Sequence, residues 1–172
     1  MTVSQRALFV AGFLFCVALM ATALYFQYVE RLEPCPLCII QRVLVIAVGV
    51  VMLVAAIHDP RGFGRRVYGL VLAVLAVAGV GVAGRHVWLQ SLPPDQVPAC
   101  GPGIEYLMKS FPMWEALRIV FEGSGECAEK QWSFLGLTIP GWTLVIFCGL
   151  TLLALWLVLS RPPRRDSRPS WR

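Results

Sequence analysis

The chain has 172 residues, a formal net charge of +5 and a mean hydropathy of +0.69. Hydrophobic residues make up 58% of it and charged residues only 15%, against about 25% charged residues in a soluble domain. This composition excludes an ordinary soluble enzyme and indicates one small membrane bundle. The basic residues lie at the ends of apolar segments and form no patch with interleaved aromatics, so we expect no nucleic-acid partner.

Four apolar segments in chain order predict an all-α membrane protein, a four-transmembrane-helix bundle. Val43 to Ile57 is uncharged but shorter than the about 20 residues that a span needs, so the second helix should begin near Cys38 and include Arg42. The apolar run of the first segment is too long for that of a signal peptide, and we interpret it as an uncleaved anchor. We expect one domain over residues 1–172, with spans at about 7–29, 39–58, 67–85 and 141–160 and a disordered basic tail at 161–172.

Lys and Arg near the span ends predict the orientation. Arg6 stands near the N-terminus, three arginines stand in the loop His58–Arg66 and five in the tail, and these segments are expected to be cytoplasmic. The loop Glu30–Pro34 and the long segment from Arg85 to Pro140 then lie outside. For a bacterial inner membrane, the outer side is the oxidising periplasm, where disulfides persist.

The long outer loop contains apolar residues near helical spacing after Pro112, a residue suited to a first helical turn. They are Phe111, Trp114, Leu117, Val120 and Phe121. One interpretation is a short helix packed on the bundle, and the other is an amphipathic helix lying in the membrane interface. Further along, Trp132, Phe134 and Trp142 fit an aromatic belt.

Six cysteines divide between the outer loops and the spans. Cys35, Cys38, Cys100 and Cys127 lie on or near the outer side, and four cysteines allow three connectivities. Cys35–Cys38 with Cys100–Cys127 is the natural one, because each pair lies in one loop, and a cross-loop pair would be an intermediate in a redox relay. Cys16 and Cys148 lie within spans and are interpreted as small buried hydrophobic residues.

Cys35-Pro-Leu-Cys38 is the most informative motif, since CxxC dithiols are typical of thiol–disulfide exchange. At the start of a membrane helix it suggests electron exchange with a molecule dissolved in the lipid. The other readings are a structural four-span protein whose Cys100–Cys127 disulfide merely closes its loop, and a membrane protein that binds zinc or copper. No His, Asp or Glu stands at ligand spacing near the motif, so we expect no metal.

Arg42 and His86 are the candidate partners of the dithiol. Arg42 follows Cys38 by four residues on one helix face, where its charge favours a Cys38 thiolate and negative charge on a quinone oxygen. The alternative is an arginine that only snorkels to the interface. His86 ends the third span at about the same depth, where it is either a hydrogen-bond partner of a quinone carbonyl or a simple interfacial histidine.

Together these residues resemble the bacterial DsbB family, the disulfide bond formation protein B family. The resemblance covers nearly the whole chain and rests on several motifs: Cys35-Pro-Leu-Cys38 with Ile-Ile-Gln-Arg42 behind it, Arg85-His86, Cys100, and Ser124-Gly-Glu-Cys127-Ala-Glu-Lys-Gln-Trp132 followed by Phe134-Leu-Gly. It implies an inner-membrane thiol:quinone oxidoreductase whose partner is a periplasmic DsbA-like, thioredoxin-fold oxidase.

The resemblance also implies an order of events. The carrier's thiolate attacks Cys100, Cys127 is released and engages Cys35, and Cys38 is left as a thiolate against the quinone. Quinone, expected to be ubiquinone with menaquinone as the alternative, leaves as quinol. An acceptor beyond DsbA is required because DsbA, at about −120 mV, is itself a strong oxidant.

Overall fold

A computed structural model describes residues 5–60, 62–93, 95–97, 106, 109, 112–123, 125–130 and 132–160. Within these residues, four helices are long and apolar enough to cross a membrane, which confirms the predicted all-α four-helix membrane bundle. Their bounds are α1 Gln5–Tyr28, α2 Pro36–His58, α3 Phe63–Gln90 and α6 Ile139–Leu159. Between α3 and α6 lie α4 (Met113–Glu122), α5 (Gly125–Ala128), β1 (Ser133–Phe134) and β2 (Leu137–Thr138).

Local sequence explains where the spanning helices begin and end. Pro36 stands in the first turn of α2, where its missing N–H costs no hydrogen bond, and Cys35 is the N-cap residue. Asp59 ends α2 in the left-handed conformation, at φ 43°. Pro140 stands in the first turn of α6 in the same way. α3 extends beyond the expected 67–85 at both ends, so that Gln90, a residue without a role in the sequence-based prediction, belongs to the helix.

The bundle is built from two closely packed helix pairs. α1 packs on α2, α3 packs most extensively on α6, and α2 and α3 meet between the pairs. Glycines permit close approach: Gly79 lies under the ring of Phe147, and a methyl group at Gly49 would lie 3.2 Å from Cys16 Cβ. Other large core residues shared by the two pairs are Phe9, Val48, Met52 and Leu157.

Large apolar side chains also cover the outside of the four long helices. Leu14, Val74 and Leu152 are each more than half exposed. A water-soluble protein rarely presents such a continuous apolar surface, whereas a protein surrounded by lipid tails does. Together with the length and hydropathy of the four helices, this surface makes the chain a multi-pass membrane protein.

One end of the bundle, which we call the cysteine end, carries Cys35, His86 and Cys127. The short elements between α3 and α6 cover it: α4 packs against α2, and α5 against α3. Arg85 lies over the ring of Trp88 and donates from Nε to the Phe121 carbonyl at 3.2 Å, which ties α3 to the end of α4.

α4 confirms that residues following Pro112 are helical. Val120 is buried, whereas Trp114 is 80% exposed, so the helix has one face on the bundle and one face away from it. Its position in a membrane interface stays a prediction. Phe111 and Cys100, as well as the expected disordered tail at 161–172, lie outside the described residues, and Leu117 lies within α4 but its side chain is not described.

β1 and β2 pair antiparallel as a short hairpin. Aromatic rings link α1 to this hairpin and to α6 at the cysteine end. Phe26 of α1 meets Trp132 with ring centroids 5.1 Å apart, Trp132 stacks on Phe134 at 5.9 Å, and Phe134 meets Trp142 at 6.4 Å. The Trp142 indole N–H also donates to the Phe134 carbonyl at 3.1 Å. This aromatic row is compatible with the predicted belt and connects the first and last spanning helices.

Candidate active site

The CxxC dithiol sits at the N-terminus of α2. The Cys35 and Cys38 sulfurs are 3.1 Å apart, and the backbone N–H of Cys38 points to Cys35 Sγ at 3.4 Å. Cys35 is buried, while Cys38 is half-buried at the bundle surface. The helix start thus gives the two thiols different environments, with Cys35 turned toward protein and Cys38 partly accessible.

Cys127 approaches this dithiol from the long loop. It lies in α5 and is fully buried. Its sulfur, Cys35 Sγ and a ring nitrogen of His86 all lie within 4.8 Å of one another. A disulfide needs sulfurs about 2.0 Å apart. Side-chain rotation and a small backbone shift can bring the Cys35 and Cys127 sulfurs to that distance. The arrangement therefore makes pairing between the two loops, Cys35 with Cys127, stereochemically accessible.

His86 is the neighbour that α3 contributes. It is 2% exposed, and its Nε2 lies 3.7 Å from Cys35 Sγ. On the other side of the ring, Nδ1 lies 3.2 Å from Gln41 Nε2, and Gln41 is itself buried. A simple interfacial histidine would be solvated, so that alternative does not fit. With Gln41 Nε2 as donor, Nδ1 accepts and the ring proton resides on Nε2, directed at the Cys35 sulfur.

Arg42 is held by the first helix. Its Nη1 donates to Gln27 Oε1, and its Nη2 donates to the Ala23 carbonyl at 3.1 Å. The sequence correctly places Arg42 one turn along α2 from Cys38. The contacts with α1, however, show a guanidinium fixed between two helices, which differs from an arginine extended freely to the interface.

Gln90 joins the long loop to α3. Its Nε2 donates to the Glu129 carbonyl at 3.3 Å, and its Oε1 accepts from the Thr138 hydroxyl at 2.7 Å. Since Glu129 closely follows Cys127, the first bond holds the Cys127 segment against α3, and the second ties the end of β2 to the same side chain. Sequence reasoning missed both Gln90 and Gln41. The indication present in the sequence was a polar amide near the outer end of an apolar helix. Such a side chain normally faces a hydrogen-bond partner within the protein.

A small cavity of about 30 Å³ opens beside the dithiol. Its polar lining comes from the buried or half-buried Cys35, Cys38, His86 and Gln90 and from the exposed Glu126 and Glu129. Such a volume holds at least one water molecule. The cavity therefore brings solvent-sized space against the side chains of Cys35 and Cys38.

The two cysteines within spans differ from one another. Cys16 is buried at 3% exposure in the α1–α2 contact, as expected. Cys148 is exposed on the surface of α6, so the expectation of a buried side chain is wrong for it. The apolar helix explains the difference, because a small side chain in a membrane helix can face lipid as readily as protein.

The chain is similar to proteins of one bacterial family along nearly its whole length. The family model described as disulfide bond formation protein DsbB matches residues 5–157. Three relatives named disulfide bond formation protein B come from Nitrosococcus oceani (59% identical over 91% of this chain and 92% of that protein), Marinobacter nauticus (52%, over 95% and 97%) and Methylococcus capsulatus (51%, over 89% and 95%). With Cys35, Cys38 and Cys127 gathered at one end of four membrane helices, the chain belongs to the DsbB family of disulfide-forming oxidoreductases.

Proposed function

We propose that this protein is a thiol:quinone oxidoreductase of the bacterial inner membrane, which reoxidises a periplasmic DsbA-like thioredoxin-fold oxidase and passes the electrons to membrane quinone. The observation that supports it best is the position of Cys127 beside Cys35, which in turn lies next to Cys38. A loop disulfide with only a structural role has no need to lie against a second dithiol, and this favours a relay over a scaffold.

The proposed relay transfers two electrons through four successive thiol–disulfide exchanges. The carrier's thiolate attacks Cys100 of a Cys100–Cys127 disulfide, and Cys127 leaves as a thiolate. Cys127 then attacks Cys35 of the Cys35–Cys38 disulfide, and Cys38 leaves as a thiolate. The carrier's second thiol releases itself as an oxidised disulfide and leaves the Cys100 thiolate, which re-forms the bond to Cys127 and expels Cys35. Cys35 and Cys38 are then oxidised back to their disulfide.

His86 has two proposed roles in this scheme. A ring N–H directed at Cys35 Sγ stabilises the thiolate when Cys35 is expelled from Cys127. The role expected from the sequence, hydrogen bonding to a quinone carbonyl, requires the ring to turn from its present contacts with Cys35 and Gln41. We therefore favour His86 as the hydrogen-bond partner of the Cys35 thiolate rather than of the quinone carbonyl.

Quinone, when bound, takes up the two electrons with two protons and leaves as quinol. The residues around Cys38 and Arg42 fit such an acceptor. Cys38 is half-buried, and Arg42 follows it by one turn. A guanidinium has five N–H donors, and the contacts with Gln27 and Ala23 occupy two of its nitrogens. The remaining donors are available to a carbonyl near the α1–α2 surface, where ubiquinone, or menaquinone, is accommodated from the lipid.

The proposed topology follows the basic residues. Arg65 and Arg66, at the start of α3 beside the loop that follows α2, lie at the end of the bundle opposite the cysteine end. With that loop and both termini in the cytoplasm, the cysteine end lies in the periplasm, where its carrier is found.

Purified protein with a reduced thioredoxin-fold carrier and ubiquinone tests the function. We expect Cys38→Ser to abolish quinol formation and Cys16→Ala, a replacement in the remote α1–α2 core, to retain it. Mass spectrometry of the purified protein identifies the quinone it carries. Full activity of Cys38→Ser would exclude the proposed path.

The order of exchange is tested by trapping. A carrier without its second cysteine should accumulate as a mixed disulfide, mapped by peptide mass spectrometry to Cys100. A mixed disulfide on Cys35 instead would show that the loop pair only stabilises the fold.

A further inference from the structure

Three ligands suited to a soft metal ion converge at the cysteine end, in contrast to the expectation of no metal drawn from ligand spacing near the CxxC motif. The Cys35 and Cys127 sulfurs and a nitrogen of His86 lie within 4.8 Å of one another, and all three side chains are buried. Cys38 Sγ lies 3.1 Å from Cys35 Sγ and supplies a fourth donor. From this geometry we propose that the fully reduced protein binds one zinc-type ion through Cys35, Cys127 and His86, with Cys38 completing the shell, and that the ion holds the protein in its reduced form.

The separations suit a tetrahedral site. With Zn–S near 2.3 Å and Zn–N near 2.0–2.1 Å, neighbouring ligand atoms lie about 3.5–3.8 Å apart. Cys35 Sγ and His86 Nε2 are already 3.7 Å apart. The widest pair must close by about 1 Å, and the two CxxC sulfurs must separate by about 0.7 Å, both within the range of side-chain rotation.

The donor set selects the kind of ion. Thiolate sulfur and imidazole nitrogen favour zinc-type and cuprous ions, whereas magnesium and calcium prefer oxygen ligands. Gln41 supplies the second layer that metal-binding histidines usually have. When Nε2 binds the metal, Nδ1 carries the ring proton, and a half-turn of the Gln41 amide presents its oxygen to that N–H.

The small cavity offers the ion a route to these ligands. It reaches Cys35, Cys38 and His86 from a rim that carries Glu126 and Glu129, both exposed. Two exposed carboxylates in the cavity lining attract cations, and the cavity is large enough for an ion. Neither carboxylate is needed as a ligand.

Metal binding depends on the redox state of the cysteines, but the ion itself neither oxidises nor reduces them. Zinc has no redox chemistry, and each thiol that binds it releases a proton. A sulfur in a disulfide is no thiolate ligand, so oxidation of either pair removes donors and expels the ion. In turn, a bound ion occupies the thiolates that the relay needs. Metal binding itself does not depend on the proposed function, whereas its effect on the relay does.

The test uses full-length protein in detergent, reduced and free of oxygen, without carrier or quinone. Co²⁺ is titrated as the probe, since thiolate–cobalt charge-transfer and tetrahedral d–d absorption report the ligands, and Zn²⁺ is added to displace it. We expect one equivalent of thiolate-bound Co²⁺. Cys127→Ser and His86→Ala should each weaken binding at least tenfold, and Cys16→Ala should leave it unchanged.

Gln41→Leu provides a variant that keeps all four ligands. Loss of a second-layer partner typically weakens metal binding about 10- to 100-fold, and we expect an effect of this size. Zn²⁺-loaded protein should also resist oxidation by a small disulfide until a chelator is added. Alkylation of the remaining free thiols measures the extent of oxidation. Absence of a thiolate–cobalt band, or a band that survives in both Cys127→Ser and His86→Ala, would overturn the proposal even if quinone reduction were fully established.

Discussion

Gln90 should control how readily Cys127 reaches Cys35. Its side chain bonds to the Glu129 carbonyl and to the Thr138 hydroxyl, at 3.3 and 2.7 Å, and so ties the segment after Cys127 to α3 and β2. Gln90→Leu keeps a similar volume but removes both bonds. Each neutral hydrogen bond contributes about 0.5–1.5 kcal/mol, so docking of α5 should weaken by up to about 1–3 kcal/mol.

This loss converts into a measurable redox shift. For a two-electron couple, 30 mV corresponds to about 1.4 kcal/mol, so the Cys35–Cys127 disulfide should become more oxidising by up to about 20–65 mV. The measurement needs a protein in which only Cys35 and Cys127 can pair. Such a background carries replacements of the other four cysteines: Cys16→Ala, Cys38→Ser, Cys100→Ser and Cys148→Ala.

The potential is read by equilibration with glutathione buffers followed by alkylation of free thiols. Thr138→Val removes only one of the two bonds and should give about half the shift. Thr151→Val, which removes a hydroxyl bonded to the Phe147 carbonyl within α6, is the matched control and should give none. A potential unchanged by Gln90→Leu would refute the reasoning and show that other contacts dock α5.

Two further predictions concern packing and the acceptor. Gly79→Ala should destabilise the bundle by about 1–3 kcal/mol in thermal unfolding, because its methyl group would overlap the Phe147 ring, whereas Gly81→Ala, with open space around it, should not. Arg42→Ala should raise the KM for quinone about ten- to hundredfold through loss of a charge-assisted hydrogen bond, and Arg42→Lys less. Since Arg42 also holds Gln27, unfolding is measured alongside, and an unchanged KM would leave Arg42 as a helix anchor only.

Much of the fold was predictable because membrane spans are governed by length and hydropathy, which are local properties. The CxxC position at a helix start was likewise visible, as Pro36 and the apolar run behind it define where α2 begins. The depth of His86 followed from counting along α3. These predictions required no knowledge of which helix faces meet.

The contacts between elements could not be predicted in the same way. All faces of the spanning helices are apolar, so periodicity does not reveal that Gln41 meets His86 or that Arg42 turns to α1. The approach of Cys127 to Cys35 joins two loops far apart in sequence. Its geometry depends on Gln90, whose inclusion in α3 requires the helix to run beyond the expected span.

The division of the bundle into helix pairs also divides the cysteines of the proposed exchange between two halves of the chain. α1 and α2 carry the CxxC dithiol, α3 to α6 carry Cys127, and the short turn between Asp59 and Phe63 connects the halves at the end remote from the thiols. Polypeptides cut in this turn and produced together should reassemble through the α2–α3 contact. Each half would then hold one partner of the exchange, and activity would report their association directly.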